Sequence, residues 1–273
     1  MMIGRDIRNV YPPKPVRAGT PEPALEVRDL GWDRRLVGIS FTVSEGEIVG
    51  LGGLDGQGQR TLLLALFGVL RGVTGQVRIY GRRSRIASPS QAKSRRVQMG
   101  LIPEDRKTEG LVLPMAVGDN ISLAALAKFT RAAVIDRRRE ADGITRMVDR
   151  LKIILGRIGD PVGTLSGGNQ QKVVIAKWLL TGARIILLND PTRGIDVGTK
   201  QEIYQLLRDL ADAGAAIAFY STDYDELIGC CDRVLVLYDG RIVRELRDGD
   251  ITEANIVASS LNINLTVNDP VAA

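Results

Sequence analysis

Three short stretches carry residue types suited to phosphate chemistry. Leu165 to Lys172 reads LSGGNQQK. There Ser166 offers a hydroxyl that can cap a helix or bind an anion, and Gly167 and Gly168 let a ligand approach the backbone of a helix start, which is an anion site. Gln170 follows inside the same octamer. An ordinary capped helix would account for the serine and glycines but not for all eight residues. The second stretch, GLDGQGQR, supplies Gly53, Gly56, Gln57, Gly58, Gln59 and Arg60, with Thr61 next. It lies between an apolar run and an apolar helix, and strand, glycine loop and helix in that order are the context of a phosphate-binding loop. In the third, the apolar run ARIILL ends on Asn189 and Asp190, and PTRGID brings Asp196.

The elements that must position these residues follow from periodicity. NQQKVVIAKWLL places Val173, Val174, Ala176, Trp178 and Leu179 on one helical stripe, which packs the helix against a core. ALEVRDL and LVGISFTV alternate as antiparallel strands do, and Gln76 to Ile86 reads as a hairpin in the same sheet. Glu45 to Gly53 is a buried strand running into the glycines, with a helix from about Gln59. Residues from about 109 to 160 are helical in period and charge, and form an inserted helical lobe in which Arg137 to Arg139 is a solvated face. After the LSGGNQQK helix come a buried strand, a helix closed by Gly214, the buried strand AAIAFYST, a helix from DELIGCC and a hairpin turning at Asp239-Gly240. Alternating buried strands and helices make a parallel α/β core.

The domain spans 24–261, between a proline-rich linker over 1–23 and a tail over 262–273 without nameable chemistry. A linker at the start leads to the expectation that a further segment precedes it. At 273 residues, 44% apolar and 25% charged, the chain has ordinary globular composition. Its net charge of +5 suits a nucleotide or an anionic surface and is too small to indicate nucleic acid. Cys230 and Cys231 are adjacent and offer no disulfide framework, which fits a reducing compartment. No apolar run approaches the roughly 20 residues of a membrane span, and the N-terminal stretch lacks the apolar segment of a signal peptide. Histidine is absent, which removes the commonest general base.

LSGGNQQK resembles the signature motif of ATP-binding cassette (ABC) proteins. With MIGRDIRNVYPPKP, GLDGQGQR, PEDRKTEGL and DPTRGIDVGTK, nearly the whole chain to about Leu261 resembles the second cassette of the tandem ATP-binding subunits of simple-sugar importers, such as those for ribose, xylose and galactose. The resemblance implies a P-loop NTPase fold: a parallel α/β core, an antiparallel β lobe and an inserted α-helical lobe. It implies ATP and Mg2+ as cofactors. As partners it implies a second cassette, transmembrane permease subunits and, indirectly, a periplasmic or extracellular sugar-binding protein. The place of work would be the cytoplasmic face of the membrane.

The same resemblance exposes departures. The phosphate loop of the family is G-x-x-x-x-G-K-[ST]; here Gln59 and Arg60 take the places of the lysine and the magnesium-binding hydroxyl. Asn189 and Asp190 replace the aspartate that serves magnesium and the glutamate that orients water, Thr222 replaces the histidine that senses the γ-phosphate, and Glu104 falls where a glutamine is usual. Any magnesium would lie near Arg60, Glu104 and Asn189. The signature and Asp196, whose loop crosses the cassette interface in the family, are intact. The expectation is therefore a chain whose own site hydrolyses ATP very slowly or not at all, and whose signature completes a partner's site. Two other readings are a non-hydrolytic scaffold and a soluble ABC protein acting on ribosomes or DNA; the latter calls for a basic linker or long coiled coil absent from the sequence.

Overall fold

The computed structural model describes residues 11–15 and 22–263, so most of the expected linker and tail lies outside the described residues. The chain opens with strands β1 (Pro23–Trp32), β2 (Leu36–Ser44) and β3 (Ile48–Gly52), then helix α1 (Gln59–Leu66) and the hairpin β4 (Thr74–Ile79) and β5 (Arg82–Ser84). Next come α2 (Pro89–Ala92), β6 (Met99–Ile102) and a π-helical turn at Arg106–Gly110. The helical lobe holds α3 (Val117–Ser122), α4 (Leu126–Phe129), a small hairpin of β7 (Thr130–Arg131) and β8 (Val134–Ile135), and α5 (Arg137–Arg150). It leads into α6 (Gly167–Thr181), β9 (Ile185–Asn189), α7 (Val197–Asp212), β10 (Ala216–Tyr220), α8 (Tyr224–Cys230), the hairpin β11 (Arg233–Tyr238) and β12 (Arg241–Arg247), and α9 (Glu253–Ser260).

A six-stranded sheet in the order β12-β11-β3-β10-β9-β6 forms the centre, and a four-stranded sheet in the order β2-β1-β4-β5 stands beside it. All central pairings are parallel except that of β12 with β11. Every residue of β3, β9 and β10 is buried, as strands covered on both faces require. Because side chains alternate across a strand, neighbouring residues feed different layers. Ile186, Leu188, Ile217 and Phe219 join α6 and α7 in one core cluster. Ile185, Leu187, Ala216 and Ala218 join α1 and the antiparallel sheet in another.

The architecture is the α/β core with antiparallel and helical lobes expected from the sequence. The strand β6, absent from the sequence reading, is the edge of the central sheet. Only its four residues MGLI mark it, and the positive φ of Gln98 precedes it.

Candidate functional site

Parallel register lines up the strand ends. Tyr220 of β10 pairs with Leu51 of β3 and with Asn189 of β9, so the segments that follow converge at the carboxyl edge, where open α/β sheets bind ligands. After β3 the chain turns through Gly53 and Gly58, at φ 127° and 115°, values that only glycine adopts easily. A Cβ on Gly53 would lie 2.5 Å from both Gln59 Nε2 and the Leu237 carbonyl oxygen. Helix α1 has no side-chain cap, which leaves its first-turn N–H groups for an anion. They border an open pocket of about 310 Å³ whose lining includes Arg34, Arg35, Gly56, Gly58, Arg60 and Thr61.

Two glutamines expected at a ligand brace this loop instead. Gln59 is buried, and its Nε2 donates to the carbonyls of Gly52 and Leu54 at 3.2 and 3.1 Å. An amide at the lysine position thus holds the loop closed on itself and presents no cation to the pocket. Gln57 accepts from the Asp239 N–H at 2.6 Å, and its own carbonyl accepts from Gly240, stitching the loop to the turn between β11 and β12. Asp55 accepts from the Tyr220 hydroxyl at 3.0 Å. Tyr220 escaped the sequence reading because a tyrosine closing a buried strand carries no motif.

Arg60 reaches across to the loop after β6. Its Nη2 lies 2.6 Å from Glu109 and its Nη1 3.9 Å from Glu104, and Glu104 also pairs with Arg193. Asn189 is buried, and its Oδ1 has no hydrogen-bond partner among the described residues. Asp190, at φ 45°, is buried beside it, donates its N–H to the Tyr220 carbonyl and accepts the Thr222 hydroxyl at 2.7 Å. Burial raises its carboxyl pKa above the ordinary carboxylate value, against the pull of the Thr222 hydrogen bond. Magnesium at a nucleotide is held octahedrally by one or two protein oxygens, typically carboxylate or hydroxyl, together with waters and phosphates. At the positions expected to hold it stand a guanidinium, a neutral amide and a carboxylate shared between two guanidiniums. This donor set does not fit the ion.

The signature is built separately. Ser166 is exposed and caps α6, its hydroxyl oxygen accepting from the Asn169 backbone N–H at 3.5 Å and from Asn169 Nδ2 at 3.0 Å. The side chain of Arg106 lies against Gly167: a Cβ there would sit 2.7 Å from Nη2. Gly168 meets α7 so closely that a Cβ would strike the Thr199 side chain. Thr199 in turn holds Asp196, donating from its N–H at 3.0 Å and its hydroxyl at 2.8 Å, and these bonds hold the Asp196 carboxyl below its usual pKa. Gln170, expected among nucleotide contacts, is buried with Nε2 turned to the carbonyls of Val162 and Leu165. It is a brace for the signature loop.

Glu226 also lies outside the sequence reading. Fully buried on α8, it accepts from Thr192, Tyr204, Ser221 and Lys200, each at 2.7 Å. It fastens the segment after Asp190 to the segment before Thr222. The signal, an adjacent Asp225 and Glu226 at the head of DELIGCC, is common to many solvated helices. The structure thus brings the glycine loop, Glu104, Asn189, Asp190 and Thr222 to one sheet edge, and places Ser166, Gly167, Gly168 and Asp196 together at the starts of α6 and α7.

Residues 36–193 match the family model described as ABC transporter. The chain is 63% identical over 263 residues to a ribose import ATP-binding protein of Rhizobium johnstonii, covering 96% of this chain and 51% of that protein. It is 44% identical to a ribose import ATP-binding protein of Streptomyces avermitilis, covering 95% and 50%. The chain therefore spans about half the length of these relatives. Its backbone superimposes on a nucleotide-free ATP-binding cassette from an ABC transporter with a TM-score of 0.73 at 19% identity, covering 88% of this chain and 97% of that one.

Proposed function

We propose that this chain, which belongs to the ABC transporter family, acts as the second cassette of a simple-sugar importer's ATP-binding subunit and completes the ATP site of a partner cassette. The observation that carries this reading is an asymmetry. Ser166 stands exposed at the start of α6, ahead of the half-buried Gly167 and the buried Gly168, on a loop braced by Gln170, while Gln59, Arg60 and Asn189 stand where the family's phosphate site has a cation, a hydroxyl and a carboxylate.

In head-to-tail pairing, each ATP lies between one cassette's phosphate loop and the other's signature. The Ser166 hydroxyl and the first N–H groups of α6 then donate to the γ-phosphate of ATP held by the partner. Hydrogen bonds to a charged group contribute about 1.5–3 kcal/mol each, and the helix dipole adds to them. Asp196 lies beside the signature through Thr199, in position to face the same interface. At the chain's own site Asp190 is turned onto Thr222, and loss of a general base alone typically costs about 10²- to 10⁴-fold. Turnover in this reading belongs to the partner's ATP.

The sugar assignment rests on the ribose import relatives, and one cassette of two is consistent with the 51% of the relative's length that the chain covers. Permease subunits would carry the sugar across and hold the cassette at the cytoplasmic face, with a sugar-binding protein delivering it. Among the described residues no helix is long and apolar enough to cross a membrane.

The test is steady-state ATPase of the purified chain alone and mixed with a competent first cassette. Activity is expected in the mixture only, and Ser166→Arg abolishes it by filling the space of the γ-phosphate. Unchanged turnover of that variant in the mixture overturns the assignment.

A further inference from the structure

We propose that the Arg60 guanidinium takes the place of the divalent cation at this chain's own phosphate pocket, so that the pocket binds a nucleoside triphosphate in its metal-free form. The inference rests on the reading of the glycine loop as a nucleotide site and adds to it the charge state of the ligand.

A triphosphate must meet positive charge near its terminal oxygens. In a phosphate loop that charge comes from the lysine and from a metal held by the first-turn hydroxyl and a carboxylate at a neighbouring strand end. Here the lysine position is Gln59, whose amide is spent on the carbonyls of Gly52 and Leu54. The carboxylate position is Asn189, neutral, buried and with its Oδ1 unpartnered among the described residues. The hydroxyl position is Arg60, the one of these three side chains that carries a charge. Its guanidinium stands between the glycine loop and the loop after β6, 2.6 Å from Glu109 and 3.9 Å from Glu104. A dication placed among these groups would face Arg60 and Arg193 and would find Glu104 already paired with both.

The guanidinium suits the task the metal leaves vacant. It is always charged and its planar fork matches two phosphate oxygens. With 49% of its side chain exposed it is free to swing. Arg34 and Arg35 line the same pocket, so that with Arg60 three guanidiniums face the two carboxylates of Asp55 and Asp239 there. The carboxylates of Glu104 and Glu109 compete with the phosphate, so Arg60 passes from one anionic partner to another when nucleotide enters. Because Glu104 also holds Arg193, three residues before Asp196, that exchange reaches the segment facing the partner cassette.

The experiment is equilibrium binding of ATP and of a fluorescent N-methylanthraniloyl ATP to the full chain, in excess EDTA and in excess MgCl2. Affinity in EDTA is expected to equal or exceed that in magnesium. Arg60→Ala is expected to weaken metal-free binding about tenfold or more, the loss of one charge-assisted contact. Glu109→Gln frees the guanidinium and is expected to tighten metal-free binding several-fold. The double variant Arg60→Thr, Asn189→Asp restores oxygen donors and is expected to make binding magnesium-dependent. A wild-type chain that binds only with magnesium overturns the proposal, as does one that binds in neither condition. Either result leaves the signature assignment to be judged by the mixed ATPase of Ser166→Arg, which does not depend on this pocket.

Discussion

Adding one methyl group at Gly168 tests whether α7 sets the position of the signature. A Cβ there would lie 2.7 Å from Thr199 Oγ1 and 2.9 Å from Thr199 Cβ, with Cγ2 closer still. Rotating Thr199 moves Oγ1 and Cγ2 but not Cβ, so α6 and α7 must separate. Overpacking of this kind costs about 1–3 kcal/mol. Rotation also forfeits the Thr199 hydroxyl bond to Asp196, about 1 kcal/mol. The higher helix propensity of alanine returns up to about 1 kcal/mol. Gly168→Ala should therefore destabilise the chain by about 1–3 kcal/mol and shift Ser166 from the place the proposed reading gives it at a partner's phosphate. The assay is a double-mutant cycle in urea, followed through Trp178, which lies on the same helix. Thr199→Ala alone costs about 1 kcal/mol. Combined with Gly168→Ala it removes the Oγ1 and Cγ2 clashes, so the pair should couple by about 1–2 kcal/mol, with part of the ATPase of the mixed cassettes restored. Additivity within about 0.5 kcal/mol, the result for independent sites, refutes the contact argument.

Two further outcomes follow from buried charge. Lys177 on α6 is buried, donates to the Gly110 carbonyl, and has its pKa lowered by desolvation to about 8 from 10.5. Between those values the folded chain has lost a proton that the unfolded chain retains, so stability rises with pH there, by about 3 kcal/mol over the window. Urea titrations of the wild type minus Lys177→Met, from pH 8 upward, should show that rise; a flat difference contradicts it. Asp190→Asn preserves shape and an acceptor for the Thr222 hydroxyl, and should leave the turnover of the mixed cassettes within about twofold. A loss approaching the 10²-fold typical of a missing general base would make Asp190 a working base.

The fold was legible wherever burial leaves a periodic mark. The near-continuous apolar runs of β3, β9 and β10 announced a covered parallel sheet, and the switch to alternation in β1 and β2 announced the antiparallel lobe. The edge strand β6 has four residues, too few for a period to show. At the site, sequence identified positions but not directions. Gln59 and Gln170 were expected among nucleotide contacts, yet each turns its amide onto carbonyls of its own loop, a choice set by backbone groups that a one-dimensional pattern does not display. Glu226 and Tyr220 act across the fold, through partners as far as 34 and 165 residues away in the chain, and no local spacing records such pairs.

The separation of these braces explains how, in the proposed reading, the chain's phosphate loop can change without disturbing its signature. The glycine loop is held by Gln59, by Gln57 on the β11–β12 turn and by Asp55 on Tyr220. The signature is held by Gln170 beneath it and by the contact of Gly168 with Thr199 and Asp196. The two sets share no residue, so Gln59 and Arg60, at the places where the family resemblance expects a lysine and a hydroxyl, do not bear on the position of Ser166. A bridge does exist one layer out: Arg193 donates to Glu104, which faces Arg60, and the Arg193 carbonyl accepts from Arg106 at 3.3 Å, whose guanidinium lies against Gly167. Substitutions inside either brace should therefore act locally, and those along Arg60, Glu104, Arg193 and Arg106 should carry the state of one site to the other.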